Sequence, residues 1–194
     1  MSGSPGRKRR ADSDRSQAAI LDAAARVLDA HPEASVETIA EAAGVTRQTV
    51  YAHFPSRERL LLAVLDRLTE RTAAAMDAAE PDAGPAAAAL ERVIEAAAVE
   101  ACRYPVLLQR INALPGSSRD DREQHTSIAD RIAQVILRGR AAGEFDDGLP
   151  VDWLVAVTIR LAHVASEERD SGRMSEAEAS RAMHTSLRRM LGVR

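Results

Sequence analysis

The chain has 194 residues, 45% of them hydrophobic and only 3% aromatic, and a formal net charge of −3. That length suits one sizeable domain, or a small one joined to a larger one, with enough apolar residues to bury a core. The slight negative charge argues against a histone-like protein that binds DNA regardless of sequence, and a lone cysteine, Cys102, excludes an intrachain disulfide and a four-cysteine metal site.

Alanine and leucine are abundant while β-branched and aromatic residues are few, which points to an all-α fold. No apolar run approaches the ~18 residues of a membrane span, and the basic start is not followed by an apolar stretch of the secretory kind. The expectation is a soluble, cytoplasmic protein without contact to a membrane.

Residues 1–13 combine Gly, Ser and Pro with the basic run Arg7-Lys8-Arg9-Arg10, and read as a disordered arm. Beside a DNA-binding element, such an arm tracks phosphates or enters a minor groove; otherwise it is a solubilising tail. The first helix is expected from about Arg15 to Ala30, with Ile20, Ala23, Ala24, Val27 and Leu28 on one face. His31-Pro32 ends it.

The stretch Ser35 to Arg57 carries the strongest signal. Val36, Ile39, Ala40 and Ala43 recur at i, i+3, i+4 and i+7, one face of a short helix. Gly44 provides the left-handed residue that closes a helix, and Thr46 is a good N-cap for a second helix with Val50 and Phe54 inward. Pro55 stops that helix, and Ser56 can cap the next. A helix, a tight glycine turn and a second helix make a helix-turn-helix.

Between the inward positions of the second helix stand Thr46, Arg47, Gln48, Thr49, Tyr51 and His53, with Arg57 just beyond and no acid among them. A polar helix face is ordinarily just solvated. On the second helix of a helix-turn-helix, these groups suit base edges and phosphates: Arg forks onto guanine, Gln onto adenine, hydroxyls onto phosphate. With Ser35 at the head of the first helix, they form the expected DNA-binding set.

The segment Thr38-Ile39-Ala40-Glu41-Ala42-Ala43-Gly44-Val45-Thr46, followed by Thr49-Val50-Tyr51-Ala52-His53-Phe54-Pro55-Ser56-Arg57, resembles the DNA-binding domain of the TetR family of transcriptional repressors. The resemblance is dense from Ile20 to Leu65 and continues beyond only as a pattern of helices. Where that family often has a large side chain between the Tyr and the His, this chain has Ala52, so base reading falls to Arg47 and Gln48. The resemblance implies three N-terminal helices forming a DNA-binding domain at about 14–58, and a helical ligand-binding and dimerisation domain over 59–194. The whole would hold about nine helices.

A long helix is expected from Ser56 to about Ala79, before the break at Pro81-Asp82-Ala83-Gly84-Pro85. Five more follow: about Pro85 to Arg103, Pro105 to Leu114, from a cap at Ser118 with Asp121 at the third position to Gly143, Pro150 to Asp170, and a last one opened by the S-x-x-E box Ser175-Glu176-Ala177-Glu178. The last two hold more apolar surface than a lone hairpin can cover. They pack within one subunit or, as the resemblance implies, form a four-helix bundle across a two-fold axis. A homodimer matches the two half-sites of a palindromic double-stranded operator.

The resemblance also places a pocket for an unknown small-molecule effector among the middle helices. Its candidate polar residues are Cys102, Asn112, His125, Trp153, Arg160 and His163. Each has a plainer reading as a core, interface or solvated residue, since pockets are mostly apolar. An all-helical enzyme or metal protein is the alternative. Its best support is His163 with Glu167 and His125 with Asp121, each pair four apart, but no HExxH, nucleophile-elbow or phosphate-loop motif accompanies them. No catalytic residue, metal or cofactor is therefore expected. A DNA-bound regulator without a ligand is the remaining alternative.

Overall fold

The computed structural model describes the backbone of residues 5–112 and 126–193, with side chains over 12–108 and 127–193. The described residues form nine α-helices and no strand. These are α1 (Pro5–Ala30), α2 (Val36–Ala42), α3 (Arg47–His53), α4 (Arg57–Ala78), α5 (Ala86–Ala101), α6 (Pro105–Asn112), α7 (Thr126–Ala141), α8 (Val151–Asp170) and α9 (Glu176–Met190). The fold is all-helical, as the composition implies. The proposed cap at Ser118 and Asp121 lies outside the described residues.

One boundary differs clearly from the sequence reading. Helix α1 begins at Pro5, where the sequence suggests a disordered arm over 1–13 and a start near Arg15. Proline suits the first helical turn, because its missing N–H has no partner to lose there. The Arg, Lys and Ala residues that follow are good helix formers, and Gly6 opposes them by only about 1 kcal/mol. At the other end, the His31 N–H closes the helix on the Val27 carbonyl at 2.7 Å.

The chain divides into two compact units, with the division inside α4 after Leu68. The first holds α1, α2, α3, the start of α4 and, from later in the chain, α6. Its core is Ile20, Leu21, Ala24, Ala25 and Leu28 of α1, Val36, Ile39 and Ala40 of α2, Val50 and Phe54 around α3, Leu60 and Val64 of α4, and Leu107 of α6. Helix α6 is tied in by chemistry as well as by packing. The Leu107 N–H, one of the donors a helix leaves unpaired in its first turn, donates to the Asp29 carboxylate at 3.0 Å. An α1 side chain thus caps a helix lying 78 residues further along the sequence.

The turn between α2 and α3 is built on Gly44, at φ +67. Its N–H donates to the Glu41 carbonyl at 3.0 Å, and the Val45 N–H to the Ala40 carbonyl at 3.0 Å. Those two bonds are the Schellman pair that closes a helix end. A Cβ at Gly44 would meet nothing within 4 Å, so the position selects glycine through its backbone angle alone. Gly44→Ala is expected to destabilise the first unit by about 1–2 kcal/mol, the strain of a left-handed alanine. Urea denaturation checks this; an unchanged midpoint would show that the turn accepts another conformation.

The second unit holds Thr69–Cys102 together with α7, α8 and α9. Its core combines Met76, Leu90, Val93, Ile94, Ile132, Val135, Ile136, Phe145, Leu154, Met183, Leu187 and Leu191. A Cβ at Gly139 would land on the Phe145 ring and within 2.9 Å of the Ala86 Cβ, so α7 has glycine there to admit the ring. Two arginines hold the α4–α5 loop. Arg92 donates to the carbonyls of Ala79, Glu80 and Ala83 at 3.1, 2.9 and 2.8 Å. Arg138 donates to those of Gly84 and Pro81 at 2.8 and 2.9 Å.

Two helix starts in this unit are closed by side chains. Helix α5 follows Pro85, which has no side-chain cap; the Glu144 carboxylate accepts instead from the N–H groups of Ala86 and Ala87 at 2.7 and 3.4 Å. Helix α9 has the capping box expected at Ser175 and Glu178, with both reciprocal bonds present. The Ser175 hydroxyl, ahead of its backbone N–H, holds the Glu178 carboxyl below its ordinary value.

Candidate nucleic-acid interface

Helix α3 has only seven residues, too short to hold itself in water, so its position is set by its ends and its buried side. At its start, the Thr46 hydroxyl accepts from the Thr49 N–H at 3.1 Å and meets the Thr49 hydroxyl at 2.9 Å. Val50 is buried in the middle, and at the end the buried Phe54 donates its N–H to the Val50 carbonyl at 2.8 Å. With Val50 and Phe54 inward, Arg47, Gln48, Tyr51 and Ala52 are exposed, and Thr49 and His53 are half-buried. The His53 ring lies 6.1 Å from that of Phe54. Ser35 caps α2, its hydroxyl accepting from the Thr38 N–H at 3.2 Å.

Arg47 has a partner on each of two elements. Its guanidinium carbon lies 5.3 Å from the centre of the Tyr51 ring, one helical turn ahead, within cation–π range. Its Nη1 forms an ion pair with the Glu37 carboxylate of α2. Tyr51 first, then Glu37, raises the Arg47 pKa above its ordinary value. Glu37 is the residue that the sequence does not point to. A first-turn acid ordinarily reads as a partner of the helix dipole, and no periodicity links it to a residue ten positions on.

Arg57 has a different setting from the one its charge suggests. Its two terminal nitrogens donate to backbone carbonyls of the α1–α2 connection, to Ala34 and, at 3.0 Å, to Pro32. The guanidinium braces the loop from which α2 starts. Arg57→Ala is expected to destabilise the first unit by about 1–3 kcal/mol, because two part-buried acceptors lose their donors. The salt dependence of DNA binding should stay the same. A fall of about one in the salt slope would instead identify a phosphate contact.

The residues singled out for a small-molecule pocket fall on several elements. Cys102 is exposed at the end of α5. Trp153, in the first turn of α8, is 59% exposed, and Arg160, two turns on, is exposed as well. His163 is half-buried on the same helix. Asn112 is the last residue of α6, a helix of the first unit, and His125 lies outside the described residues. The second unit's core is built from apolar side chains, Phe145 among them. Thr158 is the polar residue buried there among the described residues, and its hydroxyl donates to the Leu154 carbonyl at 2.7 Å. No group of three or more His, Cys, Asp or Glu residues among the described residues could hold a metal ion. None of their helices is long and apolar enough to cross a membrane.

Comparison with known proteins agrees with this geometry. Residues 20–64 match the family model described as bacterial regulatory proteins, tetR family. Among curated proteins, the chain is 46% identical over 82 residues to the HTH-type transcriptional repressor LfrR of Mycolicibacterium smegmatis, covering 42% of this chain and 43% of that one. It is 40% identical over 73 residues to the HTH-type transcriptional regulator EthR of the same species, covering 37% and 34%. These matches span less than half the length of either relative. The crystal structure of LfrR from Mycobacterium smegmatis in complex with proflavine extends the likeness, at 31% identity and a TM-score of 0.68 over 90% of this chain and 94% of that one.

Proposed function

The chain belongs to the TetR family of bacterial regulatory proteins, and from that premise we propose that it works in the cytoplasm as a homodimeric repressor. It would bind a palindromic operator and leave it when a small-molecule effector binds. The observation that carries the proposal is the exposed face of α3, fixed by the Thr46 cap at one end and by Phe54 at the other. Arg47 and Gln48 read base edges. Ser35, Thr46, Thr49, Tyr51 and His53 bind or approach phosphates.

A reader of this size needs two half-sites, and a two-fold protein supplies them. The outer side of α8 supports a dimer, since Trp153 and Val164 are 59% and 49% exposed there. On α9, the small residues Ala182 and Ser186 are exposed as well. The proflavine-bound LfrR structure supports a small-molecule effector. Release then requires the effector to bind the DNA-incompetent state more tightly than the competent one, because equal affinity shifts nothing.

Selection of bound duplexes from a random pool, at two salt concentrations, tests the proposal. The expected product is an inverted repeat, bound more tightly than pool DNA and with a steep salt slope. A pool from which no sequence is enriched would overturn it.

A further inference from the structure

Helix α3 carries no carboxylate of its own, yet the fold brings one onto its reading face. Glu37 extends from α2 to Arg47, and both side chains are more than half exposed, 53% and 58%. An ion pair so exposed adds little to stability. Helix α2 has other anchors, the Ser35 cap and the buried Val36, Ile39 and Ala40. A negative charge beside the leading cation of a DNA-reading helix also opposes the phosphates. We propose that Glu37 is a specificity-determining positioning residue, which holds Arg47 ready to read a base and limits its use as a non-specific phosphate contact. This rests on the reading of α3 as the DNA-contacting helix.

The geometry explains how one carboxylate does both. A long arginine side chain loses much rotamer freedom when it docks. Glu37 on one side and the Tyr51 ring on another restrict that freedom before DNA arrives. The guanidinium has five N–H donors in a planar fork. The bond to Glu37 engages Nη1, and the remaining donors can meet the paired acceptors of a guanine edge. To sit on a phosphate, Arg47 would have to leave Glu37, and the carboxylate would then face the DNA backbone unpaired. Such repulsion acts on every sequence, while the positioned fork rewards only one base.

The test uses the full chain with Glu37→Gln and Glu37→Asp, after circular dichroism shows that each is folded like the wild type. Affinity is measured for the duplex enriched by wild type and for a scrambled duplex of equal length, across a salt series. Glu37→Gln removes the charge and keeps the length. It is expected to bind scrambled DNA more tightly by roughly two- to fivefold, the size of one exposed charge interaction. Its preference for the enriched duplex should fall by a similar factor. Its salt slope on scrambled DNA should steepen by about one, as Arg47 becomes a phosphate contact. Glu37→Asp keeps the charge on a shorter stem, and should lose preference with a smaller gain on scrambled DNA.

An unchanged preference and slope in Glu37→Gln, or an equal loss on both duplexes, would overturn the inference and leave Glu37 a structural residue of α2. If wild type itself prefers no sequence, the reading of α3 falls and this inference with it. A wild type that discriminates, matched by an equally discriminating Glu37→Gln, overturns this inference alone.

Discussion

Truncating Phe54 to alanine should destabilise the first unit by about 3–5 kcal/mol, the usual range for a buried phenylalanine. That is a large part of the roughly 5–15 kcal/mol that holds a domain together. The chain has only two phenylalanines, and each is buried in one of the two units, Phe54 at 5% exposure and Phe145 at 6%. The other buried residues of that core are aliphatic residues and alanines, none with its volume, and Tyr104 packs against them only partly buried. Its backbone also closes α3. Loss of the ring therefore leaves a cavity where a seven-residue helix is anchored, and DNA recognition should be lost along with stability. Urea denaturation and a binding measurement on the same sample check both. Phe54→Leu, which keeps much of the volume, should cost less and retain binding; equal losses in the two variants would show that the cavity is not the cause.

Arg47→Ala should behave in the opposite way, leaving stability nearly intact and changing what the protein recognises. Arg47 is exposed, and its partners Glu37 and Tyr51 are exposed as well, so no buried group is stranded by its loss. What disappears is a fork held in a set direction. The expected result is a loss of about 1–3 kcal/mol of discrimination at one base pair of the site, with preference at the other positions kept. Selection repeated with the variant would show one position in each half-site relaxed. A uniform loss of affinity for all sequences would identify Arg47 as a phosphate contact instead.

What the sequence made legible was local. The Thr46 cap, the Gly44 turn and the Ser175–Glu178 box each join residues three to five apart, and such spacings repeat in any helix whatever surrounds it. The same holds for the inward residues Val36, Ile39, Val50 and Phe54, which follow helical periodicity into the core. What stayed hidden was every contact in which a charged side chain reaches a distant backbone. Arg57 reads as a phosphate ligand, and nothing in its spacing announces that it also donates to the carbonyls of Pro32 and Ala34. Glu144 lies in the connection after α7, and nothing in its spacing announces that it closes the start of α5. Arg92 and Arg138 carry no pattern at all, yet together they satisfy five loop carbonyls. A charge in a sequence states what a residue can bind, whereas its partner is chosen by the fold.

The seating of α6 bears on how such a protein can be taken apart. The first unit is complete only when a segment from beyond residue 103 returns to it, placing Leu107 in its core and an amide on Asp29. A splice that carried α1 through α4 into another protein would deliver a vacant seat and a carboxylate without its donor. The DNA-reading head is therefore not a cassette. Exchange between relatives must break the chain in two places, or bring a replacement for α6 that fits the same seat.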